Sequence, residues 1–204
     1  MKNVPAYDAE IEYVEANNTA GFEYAPKIVF DYVPGTSGNL RLEVDLTVLN
    51  TKTLGHRLFI GQYSDTSGRN NYTSLSGKNS FNICWLNHVD VYPSNFYWGE
   101  RNFVIIDGKT KKFYVNGLEQ DLKSGNSLKP SIQGTPFRIH GTAINNTGLY
   151  RLYSLKLIED DIVRLDVIPV RKGDKGYLYD KINHKLYSDS ENRSEFILGP
   201  DIIK

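Results

Sequence analysis

The sequence predicts an all-β fold, a sandwich or closed barrel of antiparallel strands. Three observations carry this. Short runs of alternating apolar residues recur between turn dipeptides such as Pro34-Gly35, Asp107-Gly108 and Asn116-Gly117. No stretch of ten residues repeats its apolar groups at helical spacing. Aromatic usage leans to sheet, with 14 Tyr, 9 Phe and 2 Trp.

The first twenty residues alternate weakly, which predicts an edge strand around 10–15 that closes the fold late. Strands are expected next at 22–24 and 27–33. The run 40–49, LRLEVDLTVL, puts Leu40, Leu42, Val44, Leu46 and Val48 on one face and Arg41, Glu43, Asp45 and Thr47 on the other, the pattern of a half-buried antiparallel strand. Strands at 57–62 and 80–86 follow, with a polar loop from Gln62 to Tyr72 between them. The segment 102–122 reads as a meander turned by Asp107-Gly108 and Asn116-Gly117, since Gly and Asn tolerate positive φ. Further strands at 136–140, 150–158 and 163–168 are separated by Asn145-Asn146-Thr147-Gly148 and Glu159-Asp160-Asp161. The tail from Gly176 to Pro200 reads as a hairpin, a polar loop and one last apolar anchor. Tyr177, Leu178, Tyr179, Leu186 and Tyr187 are expected to bury against the fold, with Phe196 and Ile197 as the anchor.

With 204 residues and no linker or repeat, one domain over 1–204 is expected. Lys plus Arg equals Asp plus Glu at 24 each, so no long-range field steers the chain to nucleic acid. No run approaches the roughly 18 apolar residues that span a bilayer, so membrane insertion is not expected. Cys84 is the single cysteine, which excludes an internal disulfide framework. The residues MKNVPAYDAEIEY lack the apolar stretch of a secretory signal.

Several segments resemble the concanavalin A-like, or laminin G-like, jelly-roll modules of gut bacteria and their phages. IEYVEANNTAGFEY is similar to the family's opening strand, RLFIGQYSDTSGRNNYTSLS to a strand and glycine loop, and DGKTKKFYVNGLEQ to its central hairpin. The most specific likeness is INNTGLYRLYSLKLIEDDIVRLDVIPVRKGDKGYLYDKINHKLYS. The family's last loop carries Asn-x-Gly-x-Gly before an aromatic residue and Gly-Pro. Here the loop from Asp189 to Glu195 has no glycine, so that turn must take another conformation, although Phe196 and Gly199-Pro200 are present. The resemblance implies a two-sheet antiparallel jelly-roll sandwich, the concanavalin A-like lectin/glucanase fold, closed by a C-terminal hairpin clasp.

The glucanases of that fold place Glu, Asp and Glu on alternating strand positions, so that an acid and a nucleophile flank the glycosidic oxygen. Here the run is Glu43, Asp45 and Thr47, and the third carboxylate is missing. Cys84 and His88 lie four apart outside any helix, and no Gly-x-Ser-x-Gly elbow or phosphate loop occurs. No catalytic residue is therefore expected. The four histidines share no metal-ligand spacing. No cofactor is expected; the turn oxygens of 63–71 and 159–161 suit calcium chemistry but have no defined ligand spacing.

The segment CWLNHVDVYPSNFYWGER, 84–101, interleaves rings with amides and charges. Trp85, Tyr92, Asn95, Tyr97 and Trp98, with Tyr63, Asp65, Arg69 and Asn71 from the preceding loop, are the candidate carbohydrate-binding residues. Rings stack on sugar C–H faces while amides and carboxylates read hydroxyls. The alternative puts Trp85 and Phe96 in the core and the rest at a sheet edge or protein interface. The expected partners are glycans on a cell surface or in mucus, virion proteins or further copies of the chain. The functional expectation is a non-catalytic lectin-like adhesion or decoration module, an accessory part of a phage capsid, fibre or tail, located on the virion. The alternative is a carbohydrate-binding module of a bacterial glycan-utilisation system, outside the cell with a signal peptide removed. A glucanase-like hydrolase comes third.

Overall fold

Period-two alternation governs the long strands of the molecule. The computed structural model describes residues 6–16, 26–35, 39–49, 57–63, 70–76, 80–83, 89–91, 93–120, 135–141, 149–192 and 194–203. Among them run seventeen strands: β1 Ala9–Glu10, β2 Val14–Ala16, β3 Ile28–Val29, β4 Leu40–Val48, β5 Arg57–Tyr63, β6 Asn70–Ser76, β7 Ser80–Ile83, β8 Val89–Val91, β9 Arg101–Asp107, β10 Lys112–Val115, β11 Leu118–Gln120, β12 Arg138–Gly141, β13 Tyr150–Glu159, β14 Ile162–Lys172, β15 Lys175–Asp180, β16 Lys185–Tyr187 and β17 Ile197–Leu198. They form two antiparallel sheets. The large one runs β11-β10-β9-β4-β13-β14-β15-β16, with β2 and β17 joined beside β13 and β1 beside β14; the small one runs β3-β12-β5-β6-β7-β8. The chain is all-β, as its pattern predicts. Among the described residues no helix is long and apolar enough to cross a membrane.

In β4 the five predicted inward residues are all buried, and they pair across to β9 and β13. Apolar side chains from both sheets meet in one cluster, where Leu42, Leu46, Ile106 and Phe113 of the large sheet join Ile28, Ile60 and Ile139 of the small one. Each such side chain contributes about 1.5–3 kcal/mol by leaving water. Strand β13 departs from strict alternation. Leu152 pairs with Leu46 and Ser154 with Asp45, so Tyr153 is an extra residue in the ladder. This bulge turns Tyr153 and Ser154 outward in succession and returns Leu155 and Leu157 to the core.

Two of the predicted turns form as their chemistry requires. Asn116 and Gly117 both take positive φ, 49° and 81°, as do Asp160 and Asp161, 50° and 63°; each pair closes a two-residue hairpin. Asp107-Gly108 works differently from the expectation. Lys111 takes the left-handed conformation at φ 56°, and Gly108 does not. The Asp107 carboxylate shapes the turn by accepting from the Thr110 amide at 3.0 Å and from Arg41 Nη1 at 3.3 Å. Burial alone pushes this carboxyl up, but the Thr110 amide and then the Arg41 guanidinium outweigh it and hold it below the ordinary 3.8. A depressed folded value stabilises the protein above pH 3.8, and that contribution is lost as pH falls through the lower folded value. Acid unfolding followed by circular dichroism should therefore show a shallower acid limb for Asp107→Asn than for the natural chain.

Three expectations need correction. The polar segment read as a loop from Gln62 to Tyr72 is strand at both ends, since β5 extends to Tyr63 and β6 begins at Asn70, while 64–69 lie outside the described residues. Gln62 is 1% exposed and donates to the Thr135 carbonyl at 2.7 Å, which satisfies a polar side chain on a buried face. In the N-terminal segment β2 is no sheet edge, because it is flanked by β13 and β17 and all three of its residues are buried, whereas β1 pairs with the strand β14 alone. In the tail, Ile197 faces outward at 36% exposure while Leu198 packs on the core, one residue out of phase with the expectation.

The tail otherwise forms the predicted clasp. Leu178 and Tyr187 are buried, and the Tyr187 ring meets Phe30 edge-on at 4.9 Å; Tyr177, Tyr179 and Leu186 are half-buried. The last strand pairs with the chain's own beginning, through Ile197 with Glu15, Leu198 with Val14 and an isolated bridge from Ile11 to Asp201. In the glycine-free loop Asn192 supplies the left-handed residue at φ 53°. Asparagine pays less than most side chains for that conformation.

Candidate functional site

The residues from Pro93 to Glu100 lead from β8 into β9 and are held from beneath by three asparagines. Asn102 is wholly buried. Its Nδ2 donates to the carbonyls of Tyr97 and Glu100, both at 2.8 Å, while its Oδ1 accepts from the Tyr97 amide at 2.9 Å and from Asn116 Nδ2 at 3.0 Å. The amide thus stands in for a strand partner of Tyr97. Its orientation follows from the partners, since a flipped amide would set oxygen against carbonyl oxygen. Asn116 also donates to the Asn95 carbonyl at 2.8 Å and accepts from the Phe103 amide at 2.8 Å.

This network settles the position of three candidate residues. Asn95 is 8% exposed; its Nδ2 donates to the Val115 carbonyl and its Oδ1 accepts from Gln120 Nε2 at 3.0 Å, so its amide serves the loop's interior. Trp98 is half-buried and packs edge-on against the buried Phe96 at 5.1 Å. Tyr97 presents its ring to solvent, 51% exposed. Tyr63 and Asn71 are placed by their strands alone, at the end of β5 and the start of β6, with Asn71 opposite Gln62. Trp85, Tyr92, Asp65 and Arg69 lie outside the described residues, as do Cys84 and His88.

The outer face of the large sheet carries an arrangement that periodicity alone does not show. Arg101 grips Asp45 with two bonds, Nε to Oδ1 at 2.9 Å and Nη2 to Oδ2 at 2.8 Å, and its guanidinium lies 4.1 Å over the Tyr153 ring. Arg151 donates to Glu15 at 2.7 Å and lies 4.6 Å over the Tyr13 ring. The two rings meet edge-on at 5.6 Å, so charge, ring, ring and charge form a ladder across β2, β13, β4 and β9. Hydrogen bonds to Asp45 and Glu15 are the first cause holding the two guanidinium groups above their ordinary values. The outward position of Tyr153 comes from the bulge in β13.

The same face holds the carboxylates of the glucanase-like run. Arg41 bonds Glu43 at 2.8 Å, Arg101 occupies Asp45, and Thr47 Oγ1 lies 3.2 Å from Tyr153 Oη. The cross-strand neighbours of Glu43 are Ile105 and Lys156, and those of Asp45 are Phe103 and Ser154. No acidic residue stands opposite either one. Among the described residues no three His, Cys, Asp or Glu side chains gather where a metal ion could sit. The carboxylate oxygens of 159–161 are engaged otherwise: Glu159 accepts from Tyr32 and, at 2.6 Å, from the Gly35 amide, while Asp160 and Asp161 bond Asn39 and Lys109.

No family model matches the chain, and no curated protein or solved structure matches it either.

Proposed function

We propose that the chain is a non-catalytic lectin-like adhesion or decoration module of the concanavalin A-like jelly-roll kind, an accessory part of a phage virion that holds glycans on its large sheet. Two antiparallel sheets around one apolar cluster, with β4 set between the later strands β9 and β13, support the jelly-roll reading. The observation that carries the function is the Tyr13–Arg151 and Tyr153–Arg101 ladder, flanked by Asp45 and Glu15. Flat groups offer faces to a sugar ring, and charged ends read its hydroxyls. Their partners already hold these side chains in place, so little ordering entropy is lost on binding. Tyr97 adds an exposed ring in the loop that enters β9.

The carboxylate geometry supports an adhesive role over a hydrolytic one. A retaining glycosidase needs two carboxyl groups about 5–5.5 Å apart across the bond, one of them protonated. Asp45 and Glu43 are each committed to an arginine, and Thr47 stands where the third acid would be. The virion location rests on the family resemblance and is read directly by mass spectrometry of purified particles. A bacterial glycan-utilisation module would share the binding face and differ only in where it resides.

A glycan array with the natural chain, Arg101→Ala and Tyr97→Ala tests the reading. Binding should fall about tenfold or more for Arg101→Ala, the loss expected when an anchored, stacked arginine is removed from a recognition face. Tyr97→Ala should weaken binding less. Silence across the array, together with a discrete oligomer in light scattering, would overturn glycan binding in favour of assembly. Hydrolysis of a β-glucan by the natural chain but not by Glu43→Gln would restore the enzyme reading.

A further inference from the structure

The clasp forms a pocket open to solvent, of about 330 Å³, between β15 and the loop that follows β16. Tyr177 and Phe196 give it apolar walls, and Lys175, Ser188, Asn192 and Glu195 give it polar ones. Gly176 contributes only backbone, because it packs tightly on the tail: a Cβ there would lie 3.0 Å from Phe196 Cβ and from Leu198 Cδ2.

The wall is built around Asp189, which is 5% exposed. Its Oδ1 accepts from the Lys27 amide at 3.0 Å, and its Oδ2 accepts from the Ser194 amide at 2.9 Å and hydroxyl at 3.1 Å. The Ser190 amide adds a bond to the Lys27 carbonyl at 2.8 Å. The loop is thus pinned both to the segment before β3 and to its own far end. A wall held in this way costs a ligand little reorganisation.

We infer that this cavity binds the terminal ring of a neutral glycan. Its volume lies at the lower end of the range for small-ligand pockets, about 300–1,000 Å³, so it takes a single ring and not a chain. Lys175 and Glu195 pair at 2.6 Å at its edge, and the Asp189 oxygens are taken up by Lys27 and Ser194, so the described lining turns no unengaged charge toward a ligand. Ammonium, carboxylate, hydroxyl and amide together can donate to and accept from several sugar hydroxyls, while the rings cover C–H faces. The inference rests on the glycan-binding reading above and adds a second site, distinct from the outer face of the sheet.

The test is residue-resolved. Amide ¹⁵N–¹H spectra of the whole chain are followed through titrations with D-glucose, D-galactose and N-acetyl-D-glucosamine, with glycerol as a control polyol. Saturable shifts at Gly176, Tyr177, Asn192 and Ser194 are expected with one of the sugars and not with glycerol. Affinity should fall about tenfold in Tyr177→Ala, the equivalent of about 1.4 kcal/mol. Glu195→Gln should weaken the same response while leaving the spectrum otherwise folded. Shifts confined to the 93–102 segment and the outer face would overturn the clasp site and leave the lectin reading standing. Shifts at neither place would overturn both, and an equal response to glycerol would reduce the cavity to an unselective polyol contact.

Discussion

Asn102→Ala lowers the unfolding free energy by about 3 kcal/mol and the melting temperature by about 10 °C. The side chain is wholly buried and makes four hydrogen bonds, two given and two received. Removing it leaves the Tyr97 amide, the Tyr97 and Glu100 carbonyls and one hydrogen of Asn116 without their partner. Each net loss is about 1 kcal/mol, and more where water cannot enter. Exposed Tyr97 lets water reach part of the gap, which keeps the sum below the full desolvation cost of four groups. Asn102→Asp discriminates the mechanism. A carboxylate can still accept from Tyr97 and Asn116, but it faces two carbonyl oxygens with no proton to give. Aspartate should therefore be at least as damaging as alanine, although it is nearly the same size. Thermal and denaturant unfolding of the two variants measure this. A loss below about 1 kcal/mol for alanine would mean that the network is ornamental.

The polar network and the outer ladder differ in how far they can be read from sequence. The strand β4 is legible because one face is apolar without exception and the other polar, so periodicity alone orients Glu43 and Asp45 outward. The Asn116-Gly117 and Asp160-Asp161 turns are legible because few residues tolerate positive φ. What Asn116 does with its side chain is not legible: the same dipeptide would close the hairpin whether or not its amide reached the Asn95 carbonyl. Asn95 itself stands among five aromatic residues within 84–98, which made it a candidate for a sugar-reading amide, yet the loop folds it inward. The ladder lies further beyond reach, because Tyr13, Asp45, Arg101 and Tyr153 come together only through pairings of β2, β4, β9 and β13 that no local pattern specifies. Tyr153 even defies local pattern. Alternation continued from Leu152 would bury Ser154 and expose Leu155 and Leu157, and only the bulge resolves that conflict. Strand β6 escapes notice for a simpler reason: NNYTSLS offers too few apolar residues to display a period.

Gly199→Ala opens the closure between the two ends of the chain and costs more than any substitution at the hairpin glycines. Space, and not dihedral angle, forbids a side chain at this position. A Cβ on Gly199 would lie 2.8 Å from the Tyr13 carbonyl oxygen, 2.9 Å from its nitrogen and 3.0 Å from its ring. The first two are backbone atoms of the residue just before β2 and have no rotamer to change. The tail must therefore draw away, which strains the bond from the Gly199 amide to the Tyr13 carbonyl at 2.9 Å and its neighbour from Glu12 to Pro200 at 2.8 Å. Overpacking of this kind costs about 1–3 kcal/mol, and loosened burial of Phe196 and Leu198 adds to it. Gly173 makes the informative control. It has φ 61° with nothing near a built Cβ, so alanine there meets only the left-handed penalty of about 1–2 kcal/mol. Hydrogen exchange should show Gly199→Ala releasing the amides of Glu12, Gly199 and Ile202 while those of β4 and β9 stay protected. A chain truncated after Ser194 sets the upper limit, since no point change can release more of the tail than its deletion. If Gly199→Ala proves milder than Gly173→Ala, the ends of the chain are not held as closely as the Tyr13 contact requires. The clasp would then be a lid resting on the core instead of part of the large sheet.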